Sequence, residues 1–296
     1  MEHCTVDLAG PVHYADWGGE GPPVVFIHGL SGAWVNWSAV APALTKRHRV
    51  YAIDLLGHGR TPLAGRKATL GNQRRLLDGF LREVVKEPAA LIGNSTGGHL
   101  AVMEGAREPG RVASLVLVDP SVPIPAPSGF SGFHPVLLLG LTGLLIKPFG
   151  ELMLRRLFRG REPERIFRGG LRLCTPHPER ISRKIVDAHL AEYERNVGRD
   201  EWVTGLLQTG RSLWWHDARK RRFYRQARAV DCPVLIVQGE EDPLVPMASI
   251  SALVRVRPEW QLRVISRVGH IPMLEAPDEF DRIVGEWLDE GAQEAA

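Results

Sequence analysis

Six short apolar runs recur along the chain: 22–28 "PPVVFIH", 49–54 "RVYAID", 89–93 "AALIG", 114–119 "SLVLVD", 233–238 "PVLIVQ" and 261–266 "QLRVIS". They are rich in β-branched residues, and all but the last are nearly continuous in apolar character, the pattern of strands buried on both faces of a parallel sheet. Between them the pattern changes to helical stretches near 72–86, 98–108, 246–257 and 278–290, with "EPG" at 108–110 as a stop signal. Strand alternating with helix predicts an α/β doubly wound sheet. Upstream, "CTVDLA" and "VHYADWG" flank Gly10-Pro11 and read as an antiparallel hairpin at the sheet edge.

The alternation breaks between Asp119 and Cys232. The break opens with the Pro- and Gly-rich "PSVPIPAPSGFSGFHP" and continues as helical, Arg-rich sequence, too long for a loop. The expected organisation is a core domain in two parts, 1–120 and 231–296, with a helical cap inserted at 121–230. Within the cap, "VLLLGLTGLLI" (136–146) is apolar all round yet too short to span a bilayer. It suits a buried cap helix, a pocket wall or an interfacial segment.

Charge sharpens this division. The net charge is +3, but residues 121–228 hold 20 Lys+Arg against 10 Asp+Glu, so the basicity belongs to the insertion. No zinc-finger spacing, RNP motif or helix-turn-helix signal accompanies it, so no nucleic-acid partner is expected. Cys4, Cys174 and Cys232 lack C-x-x-C spacing and suit neither a disulfide framework nor a zinc site. The N-terminal residues show no basic start followed by an apolar stretch, so a cytoplasmic location is expected. No P-loop or ribose-binding pattern is visible, and neither a metal nor a cofactor is expected.

The chemistry concentrates at "GNSTGG" (93–98), a G-x-S-x-G pattern with a strand before it and a helix after it. A serine in such a sharp turn needs side-chain-free neighbours two residues to either side, which Gly93 and Gly97 supply. Ser95 is therefore the candidate nucleophile. A serine hydroxyl needs a general base, and the base needs an anion to set its tautomer. Asp242 follows the run 233–238 and His270 follows the last apolar run, so both fall at the carboxyl ends of strands. Asp119, at the end of another run, is the alternative acid. In "HGLSG" (28–32), Gly29 lets the backbone turn so that the Leu30 N–H joins that of Thr96 as an oxyanion hole. His28, His58 and His99 read as loop and helix braces.

Together, "HGLSG", "DLLGHGRT", "GNSTGG", "GEEDPLVP" and "GHIPMLEAPDEF" resemble the landmarks of the α/β-hydrolase superfamily, in order and over nearly the whole chain. The resemblance implies a mostly parallel eight-stranded sheet with helices on both faces, a helical cap after the sixth strand, and cofactor-independent serine hydrolysis with Ser95 as nucleophile, His270 as base and Asp242 as acid. Ser rather than Asp at the elbow argues against the haloalkane dehalogenase and epoxide hydrolase branches. Asn94 makes the elbow similar to that of the meta-cleavage product hydrolases, which cut carbon–carbon bonds in diketo acids. That branch usually follows its histidine with an aromatic residue, whereas Ile271-Pro272 follows His270 here.

The leading expectation is hydrolysis of apolar carboxylic esters through an acyl-enzyme, with Trp214 and Trp215 as candidate walls of an acyl or aryl pocket. Carbon–carbon hydrolysis, acyl transfer, and ligand binding without turnover are the alternatives. The basic cap adds the expectation of peripheral contact with anionic lipid.

Overall fold

The computed structural model describes residues 1–123, 149–158, 162–197 and 199–294. The apolar stretch 136–146 lies outside the described residues. Eight strands form one sheet: β1 (Glu2–Asp7), β2 (Pro11–Gly18), β3 (Pro23–Ile27), β4 (Arg49–Ile53), β5 (Ala89–Asn94), β6 (Val112–Val118), β7 (Val234–Gly239) and β8 (Gln261–Ile265). Their order is β1-β2-β4-β3-β5-β6-β7-β8. β1 and β2 pair antiparallel and form the predicted edge hairpin, β2 pairs antiparallel with β4, and every later pairing is parallel.

The nearly continuous apolar runs make sense because successive side chains of a strand point to opposite faces. On β3, Val25 and Ile27 enter one core layer and Val24 and Phe26 the other. β5 and β6 divide the same way, Leu91, Leu115 and Leu117 facing one layer and Ile92, Val116 and Val118 its opposite. The first layer is covered by α1 (Leu70–Phe80) and α2 (Thr96–Gly105), which carry Leu77, Phe80 and Leu100 into it. On the second layer Trp37 stacks on Phe26 with ring centroids 4.5 Å apart.

Between β6 and β7 lie five helices of the described residues: α3 (Phe149–Phe158), α4 (Pro163–Cys174), α5 (Arg183–Asn196), α6 (Asp200–Ala218) and α7 (Lys220–Arg228). They have a small core of their own around Leu154, Trp202, Val203 and Leu207. On α7 only Phe223 and Ala227 are buried, so its arginines face outward. α6 rests on the segment that leads into α1: the Ala68 amide donates to Gln208 Oε1 at 2.7 Å, the Leu70 amide to Ser212 Oγ at 3.0 Å, and Thr209 Oγ1 donates to the Ala68 carbonyl at 2.9 Å. Gly57 and Gly205 allow the two backbones to touch, since a Cβ on Gly57 would stand 2.7 Å from the Gly205 Cα. After β7 come α8 (Met247–Val256) and, past β8, α9 (Pro277–Glu294), whose Phe280, Ile283 and Val284 close the second layer. Among the described residues no helix is long and apolar enough to cross a membrane.

Candidate active site

Ser95 stands between the end of β5 and the start of α2 with φ 53° and ψ −114°, a left-handed conformation rarely held by a residue with a side chain. The surrounding hydrogen bonds hold it there: the Ser95 amide donates to the Val118 carbonyl at 2.9 Å, and the Ser95 carbonyl accepts from the Ser121 amide at 2.9 Å. The flanking glycines do what the sequence required of them. A Cβ at Gly93 would overlap the Gly97 carbonyl, and one at Gly97 would overlap the Ile27 carbonyl of β3. Thr96 opens α2, so its N–H belongs to the free first turn of the helix and lies at the positive end of its dipole.

His270 and Asp242 meet. His270 Nδ1 lies 2.8 Å from Asp242 Oδ2, with the two side chains 5% and 1% exposed. A carboxylate only accepts, so Nδ1 carries the hydrogen and the lone pair is left on Nε2. The loop after β7 sets the aspartate. Asp242 Oδ1 accepts from the amides of Leu244 at 2.7 Å and Val245 at 3.0 Å, and Oδ2 also accepts from Gln238 Nε2 at 3.2 Å. Burial alone would raise this carboxyl, but the electrostatic attraction and hydrogen bond of the His270 ring and the amides of Val245 and Leu244 outweigh it and hold Asp242 below the usual carboxylate range.

Ser95 and His270 are joined indirectly. Asn94, the last residue of β5, donates from Nδ2 to the His270 carbonyl at 3.1 Å and to the Val118 carbonyl at 3.2 Å, tying the elbow, β6 and the histidine loop together. The Ser95 hydroxyl and the His270 ring form no hydrogen bond with each other among the described residues, a looseness common before substrate binds. Gly29 faces the elbow, where a Cβ would lie 3.1 Å from Ser95 Cβ. The Gly32 amide donates to the Gly29 carbonyl at 3.1 Å, which turns the chain at Leu30.

The second carboxylate, Asp119, follows β6 with φ 42° and accepts from the Gly239 amide at 2.8 Å. Its other oxygen is buried and unpartnered. Burial, and then the neighbouring Asp242 charge, push the Asp119 carboxyl well above its ordinary range. Oxygens of Asp119 and Asp242 and a nitrogen of His270 all lie within 4.8 Å of one another, the only such three-residue group of potential metal ligands among the described residues. His270 Nδ1 donates to Asp242 and so has no lone pair for an ion.

Two supports of the histidine loop had no signal in the sequence. Glu275, on the helical turn Pro272–Glu275, accepts from the Gly269 amide at 3.0 Å and the Ile271 amide at 3.3 Å, gripping both sides of His270, and takes the Thr175 hydroxyl as well. The His270 amide itself donates to the carbonyl of Cys174 at 2.8 Å, at the end of α4. The helical region is thus bonded directly to the loop that carries the base. His28 donates from Nδ1 to the Gly29 carbonyl at 2.7 Å and accepts the Leu55 amide on Nε2 at 3.0 Å, so this buried ring is a neutral brace. His58 donates to the Leu56 carbonyl at 2.9 Å, and burial first, then His28, push it down to about 4. His99, pushed down to about 3 by burial, bonds the Ser121 carbonyl at 3.0 Å. Trp214 and Trp215 are 46% and 56% exposed, so neither belongs to the buried core of the helical region. Trp214 stands seven residues after Leu207 and four after Gly210, on the same stripe of α6 but beyond the part of it that is packed.

An eight-stranded, mostly parallel sheet with a strained serine at one strand end and a carboxylate–histidine pair at two others defines a class of protein. Residues 22–277 match the alpha/beta hydrolase fold family, and the chain belongs to it. It is 30% identical over 287 residues to 2-hydroxymuconate semialdehyde hydrolase of Pseudomonas sp. (strain CF600), covering 92% of this chain and 88% of that one. With the pimeloyl-[acyl-carrier protein] methyl ester esterase of Aeromonas hydrophila it shares 29% identity over 273 residues, 90% of this chain and 95% of the relative. The dihydrolipoyllysine-residue acetyltransferase component of the acetoin cleaving system of Cupriavidus necator is 28% identical over 284 residues, 94% of this chain and 66% of that longer protein.

Proposed function

We propose that this chain hydrolyses carboxylic esters of apolar acyl or aryl substrates through an acyl-enzyme on Ser95. The observation that carries the reading is the 2.8 Å bond from His270 Nδ1 to Asp242, which leaves the Nε2 lone pair to accept a proton, on a loop bonded through Asn94 to the strained serine. His270 takes the Ser95 proton as Oγ attacks the ester carbonyl, and Asp242 stabilises the imidazolium that forms. The N–H groups of Leu30 and Thr96 receive the tetrahedral oxyanion, aided by the dipole of α2. His270 then protonates the leaving alcohol. Water, deprotonated by the same histidine, attacks the acyl-enzyme and releases the acid and free Ser95.

The test is hydrolysis of p-nitrophenyl esters of increasing acyl length by the wild type and Ser95→Ala. Turnover with a burst, lost in the variant, is expected; equal rates for the two proteins would overturn the reading. A second reading, hydrolytic carbon–carbon cleavage of a vinylogous diketo acid, is supported by the similarity to 2-hydroxymuconate semialdehyde hydrolase and by Asn94 at the elbow. It predicts loss of the absorbance of a dienoic diketo acid in the presence of wild type, with p-nitrophenyl esters turned over poorly or not at all.

A further inference from the structure

The end of α6 and the whole of α7 present an unusual surface. Trp214 and Trp215 are two of only six strongly exposed large apolar residues among those described, and their rings pack edge to face with centroids 5.1 Å apart. The Arg219 guanidinium lies over the Trp215 ring, 6.0 Å from its centroid. Along α7, Phe223 and Ala227 turn inward on one stripe, and helical periodicity then leaves Arg221, Arg222, Arg225 and Arg228 exposed. None of these four, nor Arg219, forms an ion pair among the described residues. The acid of this stretch, Asp217, has a side chain 30% exposed and lies 3.8 Å from His99 Nδ1, and it forms no ion pair with these arginines among the described residues.

We propose that the Trp214–Trp215 pair and the arginines of 219–228 form a docking face for an anionic lipid bilayer. Two features choose this partner. Guanidinium groups without carboxylate partners match phosphate headgroups in charge and in bidentate geometry. The paired indoles, apolar in the ring and polar at N–H, suit the headgroup–acyl boundary, whereas a purely ionic partner gives no role to two outward tryptophans. The face is also close to the candidate site. One turn before Trp214 on α6, a Cβ on Gly210 would lie 3.8 Å from Leu30 Cδ2, so the helix that carries the tryptophans passes over the candidate oxyanion loop. Resting on the ester-hydrolase reading, the docked face delivers a bilayer-dissolved ester to that loop. The binding itself does not depend on that reading.

The experiment is co-sedimentation of the full chain with vesicles of phosphatidylcholine alone and with 30% phosphatidylglycerol (a chosen composition of roughly the anionic content of natural leaflets), at low and high salt, with tryptophan emission recorded. Binding at least tenfold tighter to the anionic vesicles, weakened by salt and accompanied by a blue shift, is expected. R221E/R225E/R228E abolishes it, and W214S/W215S weakens it severalfold and removes the blue shift. Circular dichroism and Ser95 labelling by a fluorophosphonate check that the variants fold, and wild-type salt dependence supplies a readout that needs no variant. Equal partition to both vesicles, or none to either, overturns the proposal. So does binding that W214S/W215S leaves unchanged and that duplex DNA competes away, which marks a general polyanion surface. Ser95→Ala is expected to bind vesicles like wild type, so a failed ester assay and a failed docking assay are separate results.

Discussion

The grip of Glu275 on the histidine loop makes a quantitative prediction. In Glu275→Ala the buried amides of Gly269 and Ile271 lose their acceptor, and the Thr175 hydroxyl loses its partner. An orphaned buried donor costs about 1–3 kcal/mol, so the two amides together cost about 2–6 kcal/mol of stability. Glu275→Gln keeps an acceptor oxygen at the same reach, and losing only the charge-assisted part costs about 1–2 kcal/mol. The pH dependence separates the two further. Burial raises the Glu275 carboxyl above its ordinary range, so the native state holds this proton more tightly than the unfolded chain does. Its contribution is therefore complete below the ordinary glutamate range and declines as pH rises through the raised value, a slope that Glu275→Gln lacks. Activity falls as well, because displacing His270 by about 1 Å costs on the order of 10²-fold in rate. Urea denaturation at several pH values, followed by circular dichroism, measures the stability, and p-nitrophenyl ester turnover measures the rate. If Glu275→Ala stays within about 0.5 kcal/mol of wild type, the range of a neutral surface change, and keeps its kcat, the grip has no energetic content and the reasoning fails.

Asp242→Asn preserves the shape of the acid but favours the wrong His270 tautomer, and a kcat loss of about 10⁴-fold is expected with KM little changed; a loss under tenfold in steady-state kinetics would remove Asp242 from its role. Asp119→Asn removes a carboxyl raised by burial and by Asp242, so wild-type stability should decline relative to the variant as pH rises from the ordinary aspartate range, while kcat stays within about threefold because the Asp242–His270 bond is intact. Parallel stability–pH curves for the two proteins would contradict this. Gly239→Ala places a methyl group on the Gly269 carbonyl beside the histidine loop, and overpacking of about 1–3 kcal/mol or more is expected as a lower urea midpoint; an unchanged midpoint would show that the loop yields without cost.

The sheet was legible because its physics is local. A strand buried on both faces must be apolar at every position, so β3 to β7 announce themselves within a residue or two of their observed ends, and Gly10-Pro11 marks the edge hairpin. The elbow was legible for the same reason, since Gly93 and Gly97 are required by the backbone immediately around Ser95. The exposure of Trp214 and Trp215 was not legible, because Trp214 shares a helical stripe with the buried Leu207 and only the extent of packing along α6 decides which of them is covered.

By itself the sequence determined the α/β class, the order of Ser95, Asp242 and His270 at strand ends, and the basic character of the region between β6 and β7, because each follows from the residue types in a short window. Tertiary structure alone decided that Asp242 rather than Asp119 receives the His270 Nδ1 hydrogen, that Asn94 and Glu275 hold the histidine loop, and that the Cys174 carbonyl bonds the His270 amide. These pairings join residues up to 176 positions apart. No local pattern encodes them, since a hydrogen bond is set by distance and direction in space, and both are fixed only when the sheet brings its strand ends together.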